Sequence, residues 1–263
     1  MKTVFITGCS SGFGLEIAKF FLDKGWRVVA TMRGPREDIL PRSQNLKVLA
    51  LDVKDPDSIR QALRHAGPID VLVNNAGIGW MNPLEGTPID TVRDIFETNT
   101  FGAMAVMQAA LPQFRERKSG VIVNISSSTT MKPLPLLSVY TASKAAINAF
   151  TESVALELEP FNVRVRVVLP GRSPETSFSG TARSRVQGQG EIPEAYSSYV
   201  AALFAAREHQ QDADVTRPVD VVEAVWRAAT DPQAPMRIPA GADAVALAKV
   251  SSSQEHSGLS TWS

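Results

Sequence analysis

Cysteine occurs once in the 263 residues, at Cys9, and histidine only three times. A lone thiol excludes an internal disulfide and any cysteine-cluster metal site, and His65, His209 and His256 stand at no metal-ligand spacing, so no metal is expected. Neither sign of charge is in excess: Lys plus Arg and Asp plus Glu both number 27. That balance offers no global attraction for nucleic acid or an anionic membrane, and neither is expected as a partner. Long apolar runs are missing too, and none approaches the roughly 20 residues that a membrane-spanning helix needs. The first apolar run opens at about Lys2, which leaves no room for a secretory signal. A soluble, cytoplasmic protein is the expectation, and a chain of this length should bury about three quarters of its extended surface in one sizeable domain.

The chain does have a rhythm. Apolar runs suited to strands fall near 3–7, 27–31, 46–52, 69–74, 120–126, 163–169 and 235–239, with helix-period segments near 13–24, 56–65, 90–117, 139–158 and 218–229 between them. Such alternation predicts an α/β fold, a doubly wound parallel sheet with helices on both faces. Asp55 ahead of Pro56 reads as a helix N-cap followed by proline in the first turn. The expected single domain spans residues 1–250. Its rhythm is interrupted from 172 to 217 by a loop rich in Gly, Ser, Thr and Arg and then a helical stretch from Pro193 to Gln210, an insertion of a size that is usually functional. Residues 251–263 form a Ser-rich tail, expected to be mobile, with Leu259 and Trp262 as candidates for docking on a neighbouring subunit.

Three motifs carry chemistry. The run Val4-Phe5-Ile6-Thr7 leads into Gly8-Cys9-Ser10-Ser11-Gly12-Phe13-Gly14, and a helical segment follows. Strand, glycine turn and helix is the context in which a dinucleotide binds, because glycine permits close backbone approach and the free N–H groups of a helix start attract phosphate. The Gly-x-x-x-Gly-x-Gly spacing meets the commoner dinucleotide fingerprint only loosely. Later runs end at Asp52-Val53 and at Asn74-Asn75-Ala76-Gly77, where an open parallel sheet binds its ligands. Finally, Tyr140 and Lys144 stand four apart on a helix-period stretch, which makes them neighbours on one face, with Ser127 at the end of a strand thirteen residues upstream. A free tyrosine has a pKa of about 10, and a nearby cation lowers it toward the range of a useful acid and base.

With Thr7 to Gly14, Asp52, Asn74 to Gly77, Asn99, Ser127 and Tyr140-x-x-x-Lys144 in this order, the chain resembles the short-chain dehydrogenase/reductase superfamily in its compact single-domain, Rossmann-fold branch. The resemblance runs from Lys2 to about Gly241. It implies that Tyr140 is the general acid and base, that Ser127 holds the substrate oxygen, and that Lys144 lowers the Tyr140 pKa and holds the nicotinamide ribose. Ser126 and Ser128 are adjacent candidates for the Ser127 role. Asn99, inside the long helix from Asp90, is implied as a fourth catalytic member that binds a water linking Lys144 to solvent. Implied cofactor contacts are Gly8, Ser10, Ser11, Gly12, Phe13, Gly14, Arg33, Asp52 at the adenine, Val53, Asn74 near the adenosine ribose, Ala76, Gly77, Tyr140, Lys144, Pro170 and Gly171. The segment 172–217 is implied to be the substrate loop.

The second strand ends at Ala30-Thr31-Met32-Arg33 with no acid before Glu37, while Arg33 and Arg36 are close by. An acid there grips the 2′-hydroxyl of NAD and an Arg accommodates the 2′-phosphate of NADP, so NADP is the expected cofactor, with NAD the alternative. Trp80, Met81, Met131, Leu134, Leu136, Leu137 and Phe178 are apolar candidates for a pocket that takes a hydrophobic ketone or secondary alcohol; Arg172, Arg183 and Arg185 are candidates for meeting an acidic tail. Thr176 lies one residue further from Pro170-Gly171 than the family pattern has it, which puts its contact with the cofactor amide in question. Cys9 has no partner for thiol chemistry and is expected to pack. The expected function is reversible carbonyl reduction on a small molecule by a homodimer or homotetramer. Two alternatives are a nucleotide-sugar epimerase or dehydratase, disfavoured by the glycine spacing, and a non-enzymatic NADP-binding sensor, disfavoured by the intact Ser127, Tyr140 and Lys144.

Overall fold

Seven strands, β1 (Thr3–Ile6), β2 (Arg27–Met32), β3 (Leu46–Ala50), β4 (Val71–Asn74), β5 (Gly120–Ile125), β6 (Val163–Pro170) and β7 (Arg237–Ala240), form one sheet. Every neighbouring pair is parallel, in the order β3-β2-β1-β4-β5-β6-β7. The computed structural model describes residues 1–176, 190–208 and 215–258.

Side chains alternate across a strand, and here both sets are apolar because both faces are covered. Val4 and Ile6 of β1, Val71 and Val73 of β4, and Val121 and Val123 of β5 join one buried cluster. Against it pack α1 (Gly12–Asp23), through Ile17 and Phe21, and α7 (Pro218–Thr230), through Val221, Val225 and Ala228. Phe5, Leu72 and Ile122, the intervening residues, join a second cluster on the opposite face. That cluster is closed by α2 (Pro56–Ala66), α4 (Gly102–Arg117) and α5 (Ser138–Leu158). Asp55 caps α2 as expected, accepting from the Asp57 amide at 2.8 Å with Pro56 next to it. The order places the ends of β1 and β4 side by side, where strands leave in opposite directions, and this is where an open sheet makes its crevice.

Three elements depart from the sequence reading. The helix expected over 90–117 consists of α3 (Ile89–Phe96), a π-helical turn over Glu97–Phe101, and α4. The segment expected as a loose tail from residue 251 is entered by α8 (Ala242–Gly258). The helix expected within the 172–217 insertion is a 3-10 turn, Glu194–Tyr196, followed by α6 (Ser197–Glu208). Phe178, Arg183, Arg185, His209, Leu259 and Trp262 lie outside the described residues.

Candidate active site

The glycine turn follows directly from β1 and is clamped to the end of β4. The Thr7 hydroxyl accepts from the amides of Asn75 and Ala76 at 3.0 and 2.9 Å. Asn75 Nδ2 donates to the carbonyls of Thr7 and Gly8 at 2.9 and 3.0 Å. So closely do the two segments pack that a Cβ on Gly8 would sit 2.8 Å from Ala76 Cα, and Gly8 has φ +74° besides. A Cβ on Gly14 would overlap the Gly8 carbonyl and the Asn75 amide. The turn therefore presents bare backbone at the start of α1, the cradle a pyrophosphate needs. Beside it opens a cleft of about 480 Å³ lined by Gly12, Thr176 and Arg217 among others. Cys9 faces inward, its thiol donating to the Ile6 carbonyl at 3.4 Å and pushed up to about 12 by burial, which keeps it protonated and inert.

Around that turn the implied cofactor residues fall on one edge of the sheet. Arg33 is exposed just past β2, two residues beyond Thr31, whose carbonyl accepts from the Cys9 amide at 2.9 Å. Asp52 is half-buried; its carboxylate accepts from the Lys54 amide at 2.9 Å and its own amide donates to the Ser58 hydroxyl at 3.0 Å, which fixes the turn after β3. Val53 is buried against Gly102. Asn74 turns its side chain into the sheet, donating to the Asn124 side-chain oxygen at 2.9 Å and to the Ala103 carbonyl at 3.4 Å, which leaves its backbone for the implied cofactor contact. Thr176 is delivered to the glycine turn despite the extra residue. The chain absorbs that residue in a turn, with the Thr176 amide and hydroxyl both donating to the Ser173 carbonyl, and its side chain stands 3.7 Å from where a Cβ on Gly12 would lie. At Gly171 the amide donates to the Thr216 hydroxyl at 2.9 Å, and that hydroxyl donates to Asp243 at 2.7 Å, a knot that ties both feet of the insertion to α8.

Ser127, Tyr140 and Lys144 come together at the ends of β5 and α5. The Ser127 hydroxyl is hydrogen-bonded to the Tyr140 phenol. Ser126 is spent elsewhere, its hydroxyl donating to the Lys144 carbonyl at 3.1 Å, which leaves Ser127 as the serine that meets the tyrosine. Asn148 donates to the Thr130 hydroxyl at 3.0 Å and Thr130 to the Ser127 carbonyl at 2.8 Å, so the serine turn is held by the same helix that carries the tyrosine. Asn124, reached by Asn74, donates in turn to Thr151 at 2.8 Å and pins α5 to the sheet.

Lys144 is 4% exposed, the only buried charged side chain among the described residues. Its Nζ donates to the Ile125 carbonyl at 2.9 Å and lies 6.0 Å from the Tyr140 ring centroid, next to Gly77. Burial brings its pKa down to about 8. Burial pushes the Tyr140 phenol up to about 12, against a smaller lowering by the Ser127 hydrogen bond. The lowering of Tyr140 expected from Lys144 is not seen here: the ammonium is directed at the Ile125 carbonyl, and desolvation of the phenolate outweighs the Ser127 hydrogen bond.

Asn99 sits in the π turn, 2% exposed. Its Oδ1 accepts from the Ile78 amide at 2.7 Å, and its Nδ2 donates to the Ile78 carbonyl at 2.9 Å and to Ser143 at 3.1 Å. It joins the loop after β4 to the tyrosine helix. Of the apolar candidates, Trp80 is core, packed with Ile95 and Val139 and donating to Thr87 at 2.9 Å. Met81, Met131, Leu134, Leu136 and Leu137 are only half-buried, as wall residues would be. The sequence reading gave Asn75 no role beyond its motif and did not single out Asn124, Asn148 or Thr216, all of which hold the implied site residues in place. The doublet Asn74-Asn75 was the available signal, one side chain for each side of the sheet.

Comparison with known proteins agrees with this geometry. The short chain dehydrogenase family profile matches residues 2–186. Human retinol dehydrogenase 8 is 37% identical over 251 residues, covering 90% of this chain and 80% of its own. A short-chain dehydrogenase structure from Streptomyces avermitilis superposes with a TM-score of 0.83 at 31% identity, covering 100% of this chain and 97% of that one. A short chain dehydrogenase from Burkholderia cenocepacia, solved in complex with NADP, superposes with a TM-score of 0.76 at 26% identity over the full length of both chains.

Proposed function

We propose that this chain, which belongs to the short-chain dehydrogenase family, interconverts a hydrophobic ketone or aldehyde and the corresponding alcohol with NADP as its preferred cofactor. The observation that carries the reading is the Ser127–Tyr140 hydrogen bond beside a buried Lys144, at the same sheet edge as a bare glycine turn. A nicotinamide cofactor would supply the hydride in reduction and accept it in oxidation; the glycine turn, Arg33 and Lys144 are the residues that would hold it. In reduction, Ser127 holds the substrate oxygen and Tyr140 gives it a proton as hydride reaches the carbon, so that a carbonyl becomes an alcohol. In oxidation the same oxygen returns its proton to Tyr140. With its pKa raised, Tyr140 is protonated across the neutral range, which is the state that donates.

Arg33 at the end of β2, with no acid before Glu37, supports NADP over NAD. The half-buried Met81, Met131 and Leu134 to Leu137 support an apolar substrate, as does the similarity to a retinol dehydrogenase. The test is NADPH and NADH consumption with all-trans-retinal, a steroid ketone, an aryl ketone and a short β-keto ester. The expected result is turnover of at least one of the first three with NADPH preferred. A clear NADH preference, or turnover confined to the β-keto ester, contradicts the cofactor or the substrate half of the proposal respectively.

A further inference from the structure

Asn82 lies in the loop between β4 and α3, 1% exposed, and touches three segments at once. Its amide donates to the Leu136 carbonyl at 2.9 Å. Its Nδ2 donates to the carbonyls of Gly86 at 2.7 Å and Glu191 at 3.1 Å. Glu191 belongs to the second limb of the 172–217 insertion, and Leu136 stands four residues ahead of Tyr140. We propose that Asn82 is a positioning residue that latches this limb, Gly190 to Tyr196, onto the loop carrying Leu136 and so sets how the substrate is enclosed.

Contacts on either side of Asn82 show a fitted seam. The Glu191 amide donates to the Gly86 carbonyl at 3.4 Å, and a Cβ on Gly86 would overlap the Glu191 carbonyl. Gly190 is seated on Trp80, where a Cβ would lie 3.0 Å from the indole. Tyr196 is hydrogen-bonded to Glu85 at the outer end. Two features suggest a position kept for more than stability. Asn82 Oδ1 is buried with no partner among the described residues, and a buried acceptor left unmade is costly. Leu136, which receives the Asn82 amide, has φ +66°, a conformation a bulky side chain adopts only when its surroundings impose it. Strain and an unmet acceptor meet beside the tyrosine helix, and the seam that imposes both is the one that seats the insertion.

The substitution Asn82→Asp keeps the shape but sets a carboxylate against two carbonyls. Amide hydrogen exchange of the cofactor-free protein reads the latch without any substrate: peptides spanning 190–200 should exchange at least tenfold faster in the variant, with peptides of the sheet unchanged. Should Asn82→Asp not fold, Gly86→Ala opens the same seam from the other side and must give the same local loss. Kinetics with the retinal probe add the functional half, which rests on the activity proposed above: KM should rise at least fivefold with kcat within twofold. Unchanged exchange at 190–200 in both variants overturns the latch. Faster exchange with KM unmoved, or with kcat and KM lost together, overturns its role in enclosing substrate. Absence of turnover in the unsubstituted protein defeats the proposed activity, and the latch is then decided by exchange alone.

Discussion

Lys144 bears the largest conflict between burial and charge among the described residues. In the folded chain it loses its proton near pH 8 rather than at the ordinary 10.5. Between these values the unfolded chain holds more protons, so the free energy of unfolding rises with pH. The stabilisation is fully present above about 10.5 and is lost as pH falls through about 8. Tyr140 runs the other way: with its pKa raised to about 12, its contribution is present below 10 and lost as pH rises through the folded value. Lys144→Met leaves Tyr140 and Cys9 in place, so the difference between the two proteins isolates the lysine. Denaturant unfolding of the cofactor-free proteins should show the native chain gaining on the variant by roughly 3 kcal/mol from neutral pH to beyond 10.5. A difference that stays flat across that range would mean that the ammonium is not desolvated.

At the scale of the element, the π turn at Glu97–Phe101 decides where Asn99 points. One wide turn between α3 and α4 places its side chain toward the loop after β4, where it bonds both backbone groups of Ile78 and the Ser143 hydroxyl. Asn99→Leu removes all three bonds while keeping the volume, and should cost about 2–4 kcal/mol on thermal or denaturant unfolding. It should also lower kcat more than tenfold, because Ser143 lies on the tyrosine helix next to Lys144. A stable variant of full activity would refute both statements. The apolar spacing from 90 to 117 is continuous, so periodicity reads it as one helix; only the asparagine, poor in a helix interior, hints at the break. Asp55 and Pro56 were legible because a cap is local chemistry. The helix Ala242–Gly258 was not, since its serines and short apolar stretch lack a helical stripe, while the Asp243 link to Thr216 and Arg172 that anchors its start comes from residues remote in sequence.

Across the whole molecule, the sheet order brings the glycine turn, the ends of β4 and β5 and the feet of the insertion to one edge. Alternating apolar runs and helical segments were enough to read the doubly wound sheet, because a strand buried on both faces has to be apolar at successive positions. Periodicity could not supply the strand order, and the meeting of Ser127 with Tyr140 came from the ordered motifs and their likeness to a known family. Pocket depth was not legible: Trp80 and Met81 are adjacent and equally apolar, and only the packing around Ile95 and Val139 makes the first core and leaves the second half-buried. The central claim is that this edge transfers a proton through Tyr140 during hydride transfer. Its most direct test compares the native protein with Tyr140→Phe, measuring turnover of the best carbonyl substrate and NADPH affinity on the same samples. Loss of roughly 100-fold or more in kcat with NADPH affinity kept within about threefold is the predicted result. Turnover undiminished in Tyr140→Phe would contradict the account.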